Sequence, residues 1–188
     1  MAMQSISGTY YLLIFIDDIT RDTIVYSIRN KSDTFDQFVN HLTYVENQSG
    51  EKLKILWSDR GSKYINTEIG EYLAEKGIRH ETMVAETPQQ NSIAEWYNRM
   101  ILESIRMIKL SANVSDELWA ELAITVTYLH NSLPTWANQN RENISSYKVW
   151  YGDQPLINHL RVIWSDAYVH ISKSLNDINW SHIWKSLN

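Results

Sequence analysis

In "LWSDRGSKY" an acid, Asp59, ends an apolar run, and Gly61 two positions later lets the backbone turn away. That leaves a carboxylate at the rim where a strand meets a loop. In "VAETPQQNSIAEWYNRMILESIRMIKL", residues 84–110, a second acid, Glu95, sits in the opening turns of a long helical pattern behind an amide-rich turn. The two acids are 36 positions apart. With Glu95 at the origin of a helix advancing about 100° per residue, Arg99, Arg106 and Lys109 fall within roughly 40° of it. Ile93, Tyr97, Met100, Ser104 and Ile108 fall on the opposite side. An acid followed by a line of cations on one face suits a metal-bound site with a phosphate backbone running away from it. A plainer reading stands beside this one. Glu95 favours the positive end of its own helix, and Arg99 at i+4 could pair with it. The chain has 22 acids, so many pairs share such a spacing.

The elements that would hold these residues follow from hydrophobic periodicity. "TYYLLIFID" (9–17) predicts a mostly buried strand, "DDITRD" a turn, and "TIVYSIR" (23–29) a second strand returning antiparallel. A helix follows with Phe35, Phe38, Leu42 and Val45 on one face, Ser32 as its cap and Gly50 at its end. "KLKILWSD" (52–59) is a third strand. A helix over 66–77 has Asn66 or Thr67 as cap and Gly77 just past its end. "IRHETMV" (78–84) is a fourth strand. Two long helices, about 90–112 and 115–132, come after Pro88, the second carrying Leu118, Trp119, Leu122, Val126 and Leu129 inward. This order predicts a mixed α/β domain with helices packed on a sheet. From about 133 onward the pattern reads as loops and short elements over the core, and 172–188, in which "KSLN" occurs twice, has no assignable fold.

Composition narrows the chemistry. The 188 residues contain no cysteine, so neither a disulfide framework nor a thiolate zinc site is available. No two of the histidines 41, 80, 130, 159, 170 and 182 are three to five positions apart, which removes a histidine-based zinc knuckle. No run approaches the roughly 18 apolar residues of a membrane span, and no secretory pattern opens the chain. A net charge of −5 excludes a surface that is basic throughout but permits a local basic stripe.

Taken together, "YYLLIFIDDITR", "NKSDTF", "LWSDRGSKY", "GIRHETMV", "TPQQNSIAEWYNR", "LWAELAITVTYLHNSLPT", "VWYGDQP" and "HLRV" resemble, in the right order over about 9–171, the integrase catalytic core of copia-type retrotransposons. That core is a member of the retroviral integrase superfamily with a ribonuclease H-like fold. The resemblance implies metal-dependent polynucleotidyl transfer in DNA integration. Asp59 and Glu95 match two of the family's three catalytic carboxylates and would ligate paired Mg²⁺ or Mn²⁺ ions. Carboxylates about 4 Å apart repel by roughly 4 kcal/mol at intermediate screening, and a cation removes that cost. The resemblance further implies that Gln90 and Asn91, in the loop before the helix, touch a DNA end, and that Lys63, Arg99, Arg106 and Lys109 meet its phosphates. Its implied partners are DNA (element ends and target) and another copy of the chain, without membrane or zinc. Its implied compartment is the nucleus, with a cytoplasmic particle stage.

The sequence departs from the family in one central respect. The family's first catalytic Asp stands in a His-Ser/Thr-Asp-x-x-Gly-Pro stretch on an opening strand, ahead of the strand matched here by "YYLLIFIDD". The sequence opens "MAMQSISGTYYLL" and has no such stretch. Asp17 and Asp18 match family acids whose work is in the turn to Arg21. Trp57, Trp96 and Trp164 stand where Arg, Lys or Gly is usual. The expectation is a ribonuclease H-like mixed sheet flanked by helices, with its first strand missing and the edge of "YYLLIFID" open. Extra C-terminal helices and an irregular tail would follow. In that reading 1–112 is an N-terminally truncated, degenerate core with weakened metal binding and no activity. Residues 113–171 are a helical and linker extension, and 172–188 are an unassigned tail. Two other readings remain open: a non-catalytic DNA-binding or assembly remnant, and a different ribonuclease H-like nuclease.

Overall fold

The computed structural model describes residues 3–58, 63–82, 88–134, 144–163 and 165, with side chains for all of these except 63–66, 82 and 88–92. The elements run β1 (Tyr11–Ile16), β2 (Thr23–Ile28), α1 (Thr34–Ser49), β3 (Ile55–Ser58), α2 (Lys63–Lys76), β4 (Arg79–Thr82), α3 (Pro88–Ala112), α4 (Trp119–Ser132) and α5 (Ser146–Tyr151). The order of strands and helices is the one that periodicity predicts, with α5 added. That added helix is short, but its signals are ordinary: Ser145 accepts from the Lys148 amide at 3.2 Å, and Gly152 closes it with φ +83°.

β1 and β2 form an antiparallel pair, Tyr11 opposite Ile28 through Ile16 opposite Thr23. β3 and β4 form a parallel pair, Ile55 opposite Arg79 through Ser58 opposite Thr82. Among the described residues neither pair bonds to the other, so β1 has its second edge open, as expected. Period-two alternation decides what each face of β1 buries. Leu12 and Ile14 pack on a cluster of Val25, Ile101, Ile105, Trp119, Leu122 and Val126, between β2 and the α3–α4 pair. Phe15 points the other way, onto Phe38, Leu42, Ile69, Leu73 and Ile78 of the α1–α2 side, where Leu56 of β3 also packs. Both strand pairs thus share α1 as a floor. Burying a side chain such as Ile101 or Leu73 completely is worth roughly 1.5–3 kcal/mol.

Three local expectations need correction. Ser32 does not cap α1. A 3-10 turn over Lys31–Asp33 precedes the helix, with Asn30 at its start and the Asp33 carboxylate accepting from the Asn30 amide at 2.8 Å. α2 begins at Lys63, so Asn66 and Thr67 lie inside it and cannot be its cap. α3 begins at Pro88, which places Pro88, Gln90 and Asn91 in its first turn instead of in a preceding loop. Proline suits that position, because the amide it lacks would have no helical partner there. Gly50 and Gly77 do end their helices, at φ +71° and +70°.

The β1–β2 turn is held by its acids. One Asp17 oxygen accepts from the amides of Ile19 (3.2 Å) and Thr20 (2.7 Å) and from the Thr20 hydroxyl (2.8 Å). Asp18 pairs with Arg21, which takes the left-handed conformation at φ +62°. The next residue, Asp22, is buried, and its Oδ1 has no hydrogen-bond partner. Burial, with Asp17 nearby, pushes its carboxyl from 3.8 up to about 7. On the other side of the sheet His41 stacks on Phe15, ring centroids 4.0 Å apart, and burial pushes it down to about 4.

These two groups oppose each other. Folded Asp22 keeps its proton where an unfolded Asp has lost it, so its effect on stability is adverse as pH rises from 3.8 to about 7. Folded His41 stays neutral where an unfolded His takes a proton, so stability is lost as pH falls from 6.5 to about 4. In the overlap the slopes largely cancel. In Asp22→Asn the His41 slope, joined in the same direction by that of His130, which burial also lowers, is no longer opposed by Asp22, so urea denaturation should show stability rising with pH across that interval. At pH 8 the variant should exceed the native chain by about 1–3 kcal/mol. An unchanged profile would refute this account of Asp22.

Candidate functional site

The parallel pair sets the geometry. β3 and β4 run in the same direction and finish side by side, Ser58 opposite Thr82. The Ser58 hydroxyl and His80 Nε2 lie 2.8 Å apart and tie the two ends together. Asp59 is the next residue after Ser58, and α3 begins six residues after Thr82. In sequence, both candidate acids therefore follow the carboxyl ends of β3 and β4, the end at which open α/β sheets place their ligand sites. Asp59 itself lies outside the described residues. Lys63 opens α2, and Gln90 and Asn91 lie in the first turn of α3, with side chains likewise outside the description.

On α3 the expected division of faces is present but rotated. Tyr97, Ile101 and Ile105 are its buried line, with Ile93, Met100, Ser104 and Ile108 half-buried beside it. Ile101 and Ile105 belong to the inward face more deeply than the simple wheel implies, because α4 packs from that side. Glu95, Arg99 and Arg106 are exposed, as predicted. They line a shallow hollow of about 300 Å³ together with Asn98, Leu102 and Glu103. A second hollow of about 180 Å³ continues past Arg106 to Lys109, Asp116 and Trp119. Lys109 pairs there with Asp116, so part of its charge is already answered. Glu103 similarly dilutes the stripe between the two arginines.

Aromatic residues flank the acid. Trp96 is 51% exposed, and its ring meets that of Tyr97 edge-on at 5.0 Å and that of His130 at 5.7 Å. Trp57 of β3 is also exposed. The sequence places Tyr97 on the face opposite Glu95 without giving it a role, and does not single out Asn98 or Glu103. Helical spacing from Glu95 (i+3, i+8) was enough to mark Asn98 and Glu103 as neighbours of the site.

The donor chemistry fits a hard divalent cation, since carboxylate oxygens are the ligands that Mg²⁺ and Mn²⁺ prefer. The described residues do not complete such a site: no group of three or more His, Asp or Glu side chains among them stands close enough to hold a metal. Glu95 is the one candidate acid ligand among the described residues.

Comparison with known proteins agrees with the arrangement. Residues 1–88 match the integrase core domain family. The chain is 36% identical over 175 residues, 92% of its length, to the retrovirus-related Pol polyprotein from transposon TNT 1-94 of Nicotiana tabacum. It is 30% identical over 164 residues, 87% of its length, to that from transposon RE2 of Arabidopsis thaliana. It spans only 13% and 11% of those polyproteins. Among solved structures it is similar to the HTLV-2 integrase catalytic core domain in complex with magnesium, with TM-score 0.52 and 14% identity, covering 73% of this chain and 82% of that one. It is also similar to a chain of the simian T-cell lymphotropic virus intasome in complex with PP2A regulatory subunit B56 gamma, with TM-score 0.58 and 14% identity, covering 86% of this chain and 54% of that one. These likenesses show the ribonuclease H-like fold of integrase catalytic cores. With the strand order and the polyprotein relatives, they lead to one assignment: the chain belongs to the integrase core domain family, in the branch found in retrotransposon Pol polyproteins.

Proposed function

We propose that the chain is the core of a copia-type integrase, built to hold DNA and a divalent cation at the carboxyl end of β3 and β4. The observation that supports this reading is the parallel pair: β3 and β4 end side by side, Ser58 opposite Thr82, with Asp59 next in sequence and Glu95 exposed on the helix that follows β4. Asp59 and Glu95 would hold Mg²⁺ or Mn²⁺. When bound, such an ion activates the attacking oxygen and stabilises the leaving one in phosphoryl transfer. The chain's own part is to present two carboxylates on separate elements. Arg99 and Arg106 sit one to three turns further along α3, where a phosphate backbone leaving the acids would pass. Gln90 and Asn91, in the first turn, would face the DNA end. Lys63 at the start of α2 and Lys109 near the end of α3 would extend the phosphate track. Assembly with a second copy and action in the nucleus complete the proposal.

The family's first acid is not among these 188 residues. We propose that this polypeptide alone is inactive in strand transfer, because removing one member of a catalytic unit costs orders of magnitude in rate. Binding is then the direct test. Titration with Mn²⁺ should show an ion whose affinity falls in both Glu95→Gln and Asp59→Asn; equal affinity in all three chains refutes the metal reading. Glu95 is exposed, so Glu95→Gln should leave the thermal unfolding free energy within about 0.5 kcal/mol of native.

A non-catalytic DNA-binding remnant is the second reading, and the exposed arginines favour it because phosphate contacts need no metal. Arg99→Ala/Arg106→Ala should reduce the slope of log affinity against log salt by about 2 for a DNA duplex. An unchanged slope places the DNA elsewhere. DNA binding that survives Glu95→Gln and Asp59→Asn, without any Mn²⁺ dependence, would favour the remnant over the integrase core.

A further inference from the structure

α3 is 25 residues long, and most of its burial lies in its second half. Ile101 and Ile105 pack against Trp119, Leu122 and Val126, whereas Glu95 lies nearly two turns before Ile101. A helix held only at Ile101 and beyond could pivot there, and a small rotation would move Glu95 off the face it shares with Arg99. Something must fix the azimuth of the first turns.

Tyr97 is placed to do this. It is the first fully buried residue among the described side chains of α3, at 4% exposure. Its hydroxyl donates to the backbone carbonyl of Arg21 at 3.2 Å, across 76 positions of sequence. That carbonyl also accepts from the Thr23 hydroxyl at 3.1 Å. Arg21 has the left-handed backbone that few non-glycine residues adopt, and this conformation presents its carbonyl to both donors. The seat is itself pinned to α4, since Asn131 accepts from the Thr23 amide at 3.1 Å and donates to the Thr23 carbonyl at 2.7 Å. The Tyr97 ring meets His130 of α4 edge-on at 5.2 Å. Two residues of helix correspond to about 200° of rotation. A Tyr97 held inward therefore turns Glu95 outward, on the face with Arg99.

We propose that Tyr97 is the positioning residue for Glu95: its hydroxyl locks the start of α3 to the β1–β2 turn and so fixes where the carboxylate stands for its cation. The proposal rests on the reading of Glu95 as a ligand. It assigns to Tyr97 no contact with metal or DNA.

The test compares native chain, Tyr97→Phe, Glu95→Gln and Val114→Ala, the last in the same core cluster but beyond the far end of α3. Free Mn²⁺ is followed by electron paramagnetic resonance, and amide hydrogen exchange is followed along α3. Tyr97→Phe keeps the ring and removes only the hydroxyl, and it should weaken Mn²⁺ binding by about tenfold, the scale expected for an outer partner of a metal ligand. Exchange should quicken in residues 93–101 and stay native in α4. Val114→Ala should lower the melting temperature yet bind Mn²⁺ as the native chain does. Native Mn²⁺ affinity in Tyr97→Phe, with binding still dependent on Glu95, overturns the positioning role alone. Equal weakening in Val114→Ala overturns it too, since general destabilisation then accounts for the effect. Loss of any Glu95 dependence in the native chain overturns the ligand reading and this proposal with it. Unchanged exchange at 93–101 in Tyr97→Phe shows in addition that the hydroxyl does not hold the helix.

Discussion

The β1–β2 turn and the start of β2 carry the junction on which the helices depend. Asn131 replaces ladder partners for both backbone groups of Thr23, and Tyr97 shares the Arg21 carbonyl next to it. Each such bond contributes only about 1 kcal/mol net, but removing a partner strands a buried polar group at a cost of about 1–3 kcal/mol. The junction is therefore stronger as a constraint than as a source of stability. It fixes α4 on β2, and α3, the helix that carries Glu95, on the β1–β2 turn. Asp22, buried beside the junction with an unpartnered oxygen, works against it as pH rises.

The two strand pairs divide the remaining work. The antiparallel pair supplies the turn and two packing faces, one for α3–α4 and one for α1–α2. The parallel pair supplies direction: two chain segments finish at one end, and each is followed by a helix. A net charge of −5 coexists with a cationic line on α3 because that line is short, interrupted by Glu103 and partly answered by Asp116. Such a surface would draw a phosphate backbone at one place without making the whole chain adhesive to nucleic acid.

Much of this was legible in the sequence, for identifiable reasons. The strands read correctly because "YYLLIFID" and "TIVYSI" are dense in β-branched and aromatic residues. Gly50 and Gly77 marked helix ends because only a left-handed residue closes those turns at low cost. The faces of α3 were readable because Glu95, Arg99 and Arg106 recur at helical spacing. Other features are set by tertiary contacts that periodicity does not encode. Ser32 looked like a cap, but the chain first makes a 3-10 turn capped by Asn30. α2 starts three residues before its best capping candidate. Asp22 reads as one more turn acid until the fold buries it, and Tyr97 reads as one more apolar position until its hydroxyl meets Arg21. The missed α5 was marked by Ser145 and Gly152, but six residues are too few for periodicity to emerge.

The chain lacks cysteine, which makes a direct proximity measurement available. The proposed site requires side chains at positions 59 and 95 to stand close enough to bridge one ion. In an Asp59→Cys/Glu95→Cys double variant, the two thiolates should capture Cd²⁺ at least about a hundredfold more tightly than either single variant, as expected when both ligands reach one metal. Equal Cd²⁺ affinity in the double and single variants, with the fold intact by circular dichroism, would contradict the claim.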